Sequence, residues 1–437
     1  MRKPSLLVIF LTVFIDLVGF GIVLPLLPIY SDTFGASGLM VGVIMASFSA
    51  MQFLFAPAWG RLSDRIGRRP VLLVSTAGAA LSYAVFGYGS TLTGSTALTV
   101  LLISRMVAGI CGANITVAQA YIADITPPAQ RSKRMGLIGM AFGLGFIFGP
   151  LIGGVAAKHL GISGPGYVAA ALCAANFFLA LVRLPESRQP GSTPAAPRPR
   201  FAQWAHVLAQ PNVGALIIIF FFATFCFTCF ETTLGLMVGE NFGLDLKSGT
   251  DAGTVTALFA FCGIVGAFVQ GGPIGKLVKR MGEPKLIIIS LFLVAASLAP
   301  IPFIKGQGGL SWAVLLTRDG LPWVLMLLAL AVLAIGSGLT RPPLFGMLSI
   351  LTPEDEQGAT LGVAQSAGSL ARIFGPLFAG GLFHLHPSWP YVACAAIALL
   401  TGLVAAMKLM KSEPALQAAK ARHATAAPAA PQPANVS

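Results

Sequence analysis

The chain has 437 residues, of which 56% are hydrophobic and only 10% charged, and its mean hydropathy is +0.82. Those proportions exclude an ordinary soluble globular domain, in which about 25% of residues are charged. A net charge of +13 would suggest nucleic acid in a soluble protein, but the placement of the basic residues assigns it to membrane topology, and no nucleic-acid partner is expected.

A bilayer core of ~30 Å needs about 20 apolar helical residues. Windows of that kind recur twelve times, at 5–29, 39–59, 70–90, 97–121, 135–157, 166–184, 214–238, 252–274, 285–304, 322–344, 359–383 and 389–409. The first opens "MRKP" like a signal peptide. It is too long for one, holds Asp16 and lacks a convincing cleavage site, so it reads as an uncleaved span. The expected fold is an all-α polytopic membrane protein with twelve transmembrane helices in two pseudo-symmetric six-helix bundles.

Of the 28 Lys and Arg residues, 21 fall at the termini or in connections on the side of the N-terminus, beginning with Arg2, Lys3, Arg61, Arg65, Arg68 and Arg69. Lys158, Lys247, Lys305 and Arg318 lie on the opposite side, and three more lie inside spans. The positive-inside rule then puts both termini in the cytoplasm, and a bacterial inner (plasma) membrane is the expected location. The polar break "PESRQPGSTPAAPRPRFAQWAHVLAQP" reads as a flexible linker. Its last part places Phe201, Trp204 and Leu208 on one face that suits the membrane surface. The expected units are therefore 1–184, a bundle; 185–213, a cytoplasmic linker; 214–409, a second bundle; and 410–437, a disordered tail of Ala, Pro and Lys.

Two halves call for a repeat. "IFGPL" occurs at 147–151 and again at 373–377, in the fifth span of each half. Around it, Gly145, Gly149 and Pro150 match Ala371, Gly375 and Pro376, and the glycine pairs 153–154 and 380–381 follow. Likewise "GRLSDRIG", 60–67, recurs as "GKLVKRMG", 275–282, so that Gly60, Leu62, Arg65 and Gly67 align with Gly275, Leu277, Arg280 and Gly282. Parallel repeats of this kind characterise one large transporter architecture.

"GRLSDRIGRRP" resembles the loop motif of the major facilitator superfamily. "FIDLVGFGIVLPLLPIY", "MQFLFAPAWGRLSD" and "YIADITPPAQRSKRMGLIGMAFGLGFIFGP" resemble the tetracycline-efflux-like branch of its proton-coupled drug antiporters. The likeness covers nearly all of 5–409. It implies a secondary active transporter without a cofactor, driven by the proton gradient, whose partners are protons, membrane lipid and a small-molecule substrate, and which works as a monomer. The glycine-proline motif of the fifth span is associated in that family with antiport.

In such a transporter the cytoplasmic closure must hold yet remain breakable, which suits interfacial ion pairs. Gly60 and Gly67 allow close approach, Asp64 suits a helix N-terminus or a basic partner, and Arg65 and Arg68 supply cations. Asp124, at the end of span four, is the expected counter-charge. Lys279 takes the place of Asp64 in the second half, with Arg280 beside it, so the repeat's latch should be weaker.

Charge inside a span costs at least ~2.5–3.5 kcal/mol on insertion scales and persists mainly for function. Asp16, Arg105, Glu231, Arg341 and Arg372 qualify. Four of them lie in spans one, four, seven and ten, which line the central cavity in the resembled fold. Asp16 lies about 16 Å into its helix and Arg105 about 25 Å from the cytoplasmic end of span four, which suggests an Asp16–Arg105 pair bridged by side-chain length and tilt. Asp16 is the expected proton-coupling carboxylate and Glu231 its rival. Arg341 sits near the cytoplasmic end of span ten, within snorkelling reach of the interface. Gln52, Asn114, Gln119 and Gln365 offer hydrogen bonds to substrate or between helices.

The six cysteines all fall within spans, with no second pair beside Cys226 and Cys229, so no metal site is expected. Phosphate-binding loops and nucleophile triads are absent, so neither ATP drive nor an enzyme is expected. Tetracycline exporters of the resembled family carry a histidine in span eight and an aspartate in span nine. Here 252–274 has Cys262 and Gln270, and 285–304 has no acidic residue, which sets tetracycline itself apart. The expected function is proton-coupled export of amphipathic small molecules or drugs by alternating access. A proton-coupled or facilitative metabolite transporter and a non-transporting membrane receptor stand as alternatives.

Overall fold

A computed structural model describes residues 5–23, 38–112, 114–188, 199–244, 249–316, 320–353 and 355–425. The described residues form helices joined by short connections, without strands. The first half contains α1 (Leu6–Val23), α2 (Gly38–Ile66), α3 (Arg68–Gly89), α4 (Gly94–Cys111), α5 (Asn114–Asp124), α6 (Pro128–Leu160) and α7 (Gly164–Arg183). After α8 (Arg200–Ala209) come α9 (Pro211–Phe242), α10 (Gly249–Gly271), α11 (Ile274–Met281), α12 (Glu283–Leu298), α13 (Trp312–Leu315), α14 (Leu321–Leu351), α15 (Gln357–Leu385) and α16 (Trp389–Thr425). Most of the long helices are apolar on every face, as expected of segments packed on some sides and bathed in lipid on others. Ten described spans are long and apolar enough to cross a membrane, and the pair 257–271 and 274–281, bent by 55°, makes eleven. The remaining long helix, α15, carries Gln365, Ser366, Ser369 and Arg372 toward its neighbours and is correspondingly less apolar.

Each half repeats one packing scheme. Helix α1 lies along α6, where a Cβ on Gly149 would come within 2.4 Å of the Gly21 backbone, and α9 lies along α15, where Gly375 faces Thr228. Between the halves α2 runs against α15, and α6 against α10 and α14. The α2–α15 contact is backbone to backbone: a Cβ on Gly60 would sit 2.0 Å from the Gly358 carbonyl oxygen, and one on Gly362 would sit 2.7 Å from Pro57 Cα. The halves are thus shut against each other at the end where α2 ends and α15 begins, called here the latch face.

Three local features depart from the expectations. Span four runs from Gly94 to Asp124 with a turn at Gly112, where the carbonyls before and at the turn find donors on other helices. Trp59 Nε1 donates to Ile110 O at 2.6 Å, Ser75 Oγ to Cys111 O, and Gln52 Nε2 to Gly112 O at 3.0 Å. In the linker, 189–198 lie outside the described residues and 200–209 are helical. The face of α8 that packs inward carries Gln203 and Val207, with Trp204 against Phe53 at 5.9 Å, while Leu208 is exposed. The tail expected to lack order over 410–437 is helical through Thr425, because 412–425 are rich in strong helix formers and are anchored by the buried Leu416 and by Lys420, which pairs with Glu283 at 2.9 Å. Residues 426–437 lie outside the described set.

Candidate functional site

The latch face centres on the buried Arg68 guanidinium. Gly67 alone separates α2 from α3, at φ 100°, a conformation open to glycine and strained for other residues. A Cβ there would also meet the Glu186 carboxylate at 2.4 Å. That carboxylate caps α3, accepting from Arg68 N at 2.8 Å and Arg69 N at 3.0 Å, where the helix dipole favours negative charge. The Arg68 side chain, 2% exposed, turns back and donates to Asp64 at 2.5 Å, Asp124 at 3.0 Å and Ser63 Oγ at 2.8 Å.

Asp64 then reaches across to the other half. Its Oδ1 accepts from Gly358 N at 3.1 Å and its Oδ2 from Ala359 N at 2.9 Å, so one carboxylate caps the N-terminus of α15. The structure thus brings Gly60, Asp64, Gly67, Arg68 and Asp124 together. Arg65 is exposed and outside this network, and Arg280, on α11 in the second half, is exposed and makes no hydrogen bond or ion pair among the described residues. There α11 packs through Gly275 against the Lys133 side chain, and Lys279 stands in the Asp64 register. Glu186 and Gly358 were not legible as partners: one is a lone acid in a polar linker, the other one glycine among fifty.

Deeper in the bundle lie two charged groups. In the first, Asp16 projects from α1 beside Leu17, whose backbone faces Gly145 of α6. The Cys173 thiol approaches Asp16 Oδ1 at 4.0 Å, and Tyr83 interacts electrostatically with both Asp16 and Arg105. Arg105 is 1% exposed and donates a hydrogen bond to the Tyr83 hydroxyl. Its guanidinium carbon lies 4.8 Å from the Phe48 ring centroid and 5.9 Å from that of Phe20, and its Nε and Nη1 find no hydrogen-bond partner. Tyr83 is thus a hydrogen-bonding partner of Arg105 and links it electrostatically to Asp16.

The second group spans the halves. Gln52 of α2, 2% exposed, holds the Gly112 carbonyl with its amide nitrogen, while its Oε1 accepts from Arg372 Nη2 at 2.8 Å and Ser369 Oγ at 3.2 Å. Gln365, Ser369 and Arg372 recur at i, i+4 and i+7, which puts them on one face of α15. Arg372 in turn attracts Glu231 of α9 electrostatically. Arg341 of α14 does not snorkel outward. Its guanidinium carbon lies 4.8, 5.5 and 5.8 Å from the ring centroids of Phe142, Phe220 and Phe345, and Nη2 donates to Gln365 Oε1 at 3.4 Å. Asp16, Glu231, Arg341 and Arg372 all keep some accessible surface at this depth.

Gln119 is buried apart from both groups, its Oε1 without a hydrogen-bond partner, and the Asn114 side chain lies outside the described set. The span-five residues Gly145 and Gly149, with Gly375 in the second half, serve the close approach of α6 to α1 and of α15 to α9, and Pro150 and Pro376 lie inside α6 and α15. Sequence reading missed Tyr83 and Ser369, because a tyrosine or serine in a span carries no charge to mark it.

The sequence profile of the Major Facilitator Superfamily matches residues 9–321 and 309–435. The class E tetracycline resistance protein of Escherichia coli is 33% identical over 371 residues, 84% of each chain, and the class C protein is 34% identical over 389 residues, 87% of this chain and 89% of the relative. The solved structure of the human organic anion transporter MFSD10 (TETRAN) superposes with a TM-score of 0.77 at 23% identity, covering 92% of this chain and all of that one.

Proposed function

The chain belongs to the Major Facilitator Superfamily, and from that premise we propose that it is a proton-coupled exporter of amphipathic small molecules working by alternating access. That it is a multi-pass membrane transporter rather than an enzyme follows from the family itself. The finer reading adds an antiporter in the inner membrane of a bacterium, a monomer with both termini in the cytoplasm, whose two bundles, 1–184 and 214–409, rock about the deep polar groups. No cofactor is invoked: the proton gradient supplies the energy.

The observation that carries this reading is the setting of Asp16. It is a carboxylate deep in α1, accessible, electrostatically linked to Tyr83 and placed beside the Gly145 contact with α6. A carboxylate poised between burial and nearby polar partners can exchange a proton for substrate. Because α1 packs on α6 through glycines, small shifts of one helix change the exposure of Asp16. The latch supplies the second requirement, a breakable closure, in which Asp64 caps α15 across the gap between the halves.

Reconstitution tests the proposal. Uptake of a panel of amphipathic compounds into proteoliposomes is measured with and without an imposed pH gradient. The reading expects at least one compound to accumulate only with the gradient and to leak back when a protonophore is added. Equal uptake under both conditions would make the protein a facilitator, and no uptake of any compound would favour a receptor.

A further inference from the structure

The deep charges do not cancel. Among the described spans the first half carries one deep carboxylate, Asp16, and one deep guanidinium, Arg105, whereas the second carries one carboxylate, Glu231, and two guanidiniums, Arg341 and Arg372. Glu231 interacts with Arg372, and among the described residues the charged group that acts on Arg341 is the like charge of Arg372. A guanidinium held away from water costs heavily unless it is paired. Three aromatic faces repay part of that cost, since cation–π contacts contribute ~0.5–2 kcal/mol each. They supply no counter-charge.

The hydrogen bonding is incomplete at the same point. Arg341 Nε and Gln365 Nε2 are both buried donors without a partner, and the Gln365 side chain is fully buried, its amide oxygen turned to Arg341. Two unpaired donors beside an uncompensated cation form a receptor for oxygen atoms bearing negative charge. The surroundings define the remainder of the ligand. Phe142 comes from the first half, Phe220 and Phe345 from the second, so a molecule seated at Arg341 would touch aromatic surface from both bundles.

We propose that Arg341, with Gln365 beside it, binds the carboxylate or another anionic group of an aromatic substrate, and that the transported molecules are amphipathic organic anions or zwitterions rather than cations. Arg372 adds long-range attraction but is engaged by Gln52 and Ser369. The proposal rests on the transporter reading above only in naming the ligand a substrate.

Binding at equilibrium tests it without any gradient, so its failure and that of proton coupling are separable. The full chain in nanodiscs of neutral phospholipid is titrated with three dansyl probes alike in their fluorophore, namely dansylglycine (anionic), dansylglycinamide (neutral) and dansylcadaverine (cationic), with empty nanodiscs subtracted. The expected result is saturable binding of dansylglycine at least about tenfold tighter than of the other two, the size of one charge-assisted hydrogen bond. Arg341→Gln should abolish that preference, while Arg341→Lys keeps most of it. No binding of dansylglycine by the wild-type protein, a preference for dansylcadaverine, or an undiminished carboxylate preference in Arg341→Gln would each overturn the proposal. The wild-type comparison decides the matter even if a variant fails to fold.

Discussion

Replacing Asp64 by Asn keeps the shape of the side chain and removes its charge. In the wild-type structure its two oxygens accept from Gly358 N at 3.1 Å, Ala359 N at 2.9 Å and Arg68 Nη1 at 2.5 Å. Asparagine offers one acceptor oxygen, so an NH2 group must face a backbone N–H or the guanidinium. Hydrogen bonds to a charged group contribute ~1.5–3 kcal/mol, and an anion at a helix N-terminus adds ~0.3–1 kcal/mol. The closed latch face should lose about 2–3 kcal/mol, a shift of roughly 30–150-fold in the closed-to-open ratio. The first half itself should survive, because Arg68 keeps Asp124 at 3.0 Å and Ser63 at 2.8 Å. Spin labels at Ile66 and Lys279, both exposed on opposite halves of the latch face, report the change once the native cysteines are replaced. The distance distribution should move from a single short population to one with a substantial longer component. An unchanged distribution together with unchanged turnover would refute the latch and leave the arginines as topology determinants.

Gly60→Ala puts a methyl group 2.0 Å from the Gly358 carbonyl oxygen, so α2 and α15 must separate; a cysteine at the buried position of Ser366 should then become reactive to water-soluble thiol reagents, and continued protection would contradict the close packing. Glu231 and Arg372 should show thermodynamic coupling of about 0.5–3 kcal/mol in a cycle of Glu231→Gln, Arg372→Gln and the double variant read by thermal unfolding. Additive losses would mean that the two charges do not interact. Lys420→Met leaves Glu283, 1% exposed, with Ser132 as its one hydrogen-bonding side chain among the described residues; the melting temperature should fall by roughly 2 °C or more, and an unchanged value would show the tail contact to be idle.

Hydropathy made the helices legible because a span must satisfy its backbone internally and expose apolar side chains to lipid, and both demands are written in single residues. The glycine repeats were legible for a similar reason: Gly149 and Gly375 each mark a place where two backbones approach. Partnership was harder. That Asp64 caps α15 depends on Gly358 and Ala359, which contribute only N–H groups and look like any other small residues. The inward turn of Arg341 was obscured by its nearness to the helix end, where snorkelling is equally compatible with the sequence, and only the three phenylalanines from separate helices settle its direction. The turn at Gly112 hid because Gln52, Trp59 and Ser75, which satisfy its carbonyls, are distant in sequence. The helical tail was masked by its Ala and Lys content, which suits disorder and helix alike until Leu416 and Lys420 find their sites.

Coupling of proton and substrate through one carboxylate on α1 is the central claim, and Asp16→Asn in proteoliposomes tests it most directly. With the substrate identified by the panel, gradient-driven accumulation and gradient-free exchange are measured side by side across pH. The account predicts that Asp16→Asn loses accumulation, keeps exchange and loses the pH dependence of exchange. Accumulation against a gradient with a normal pH response would contradict it and move the coupling role to Glu231.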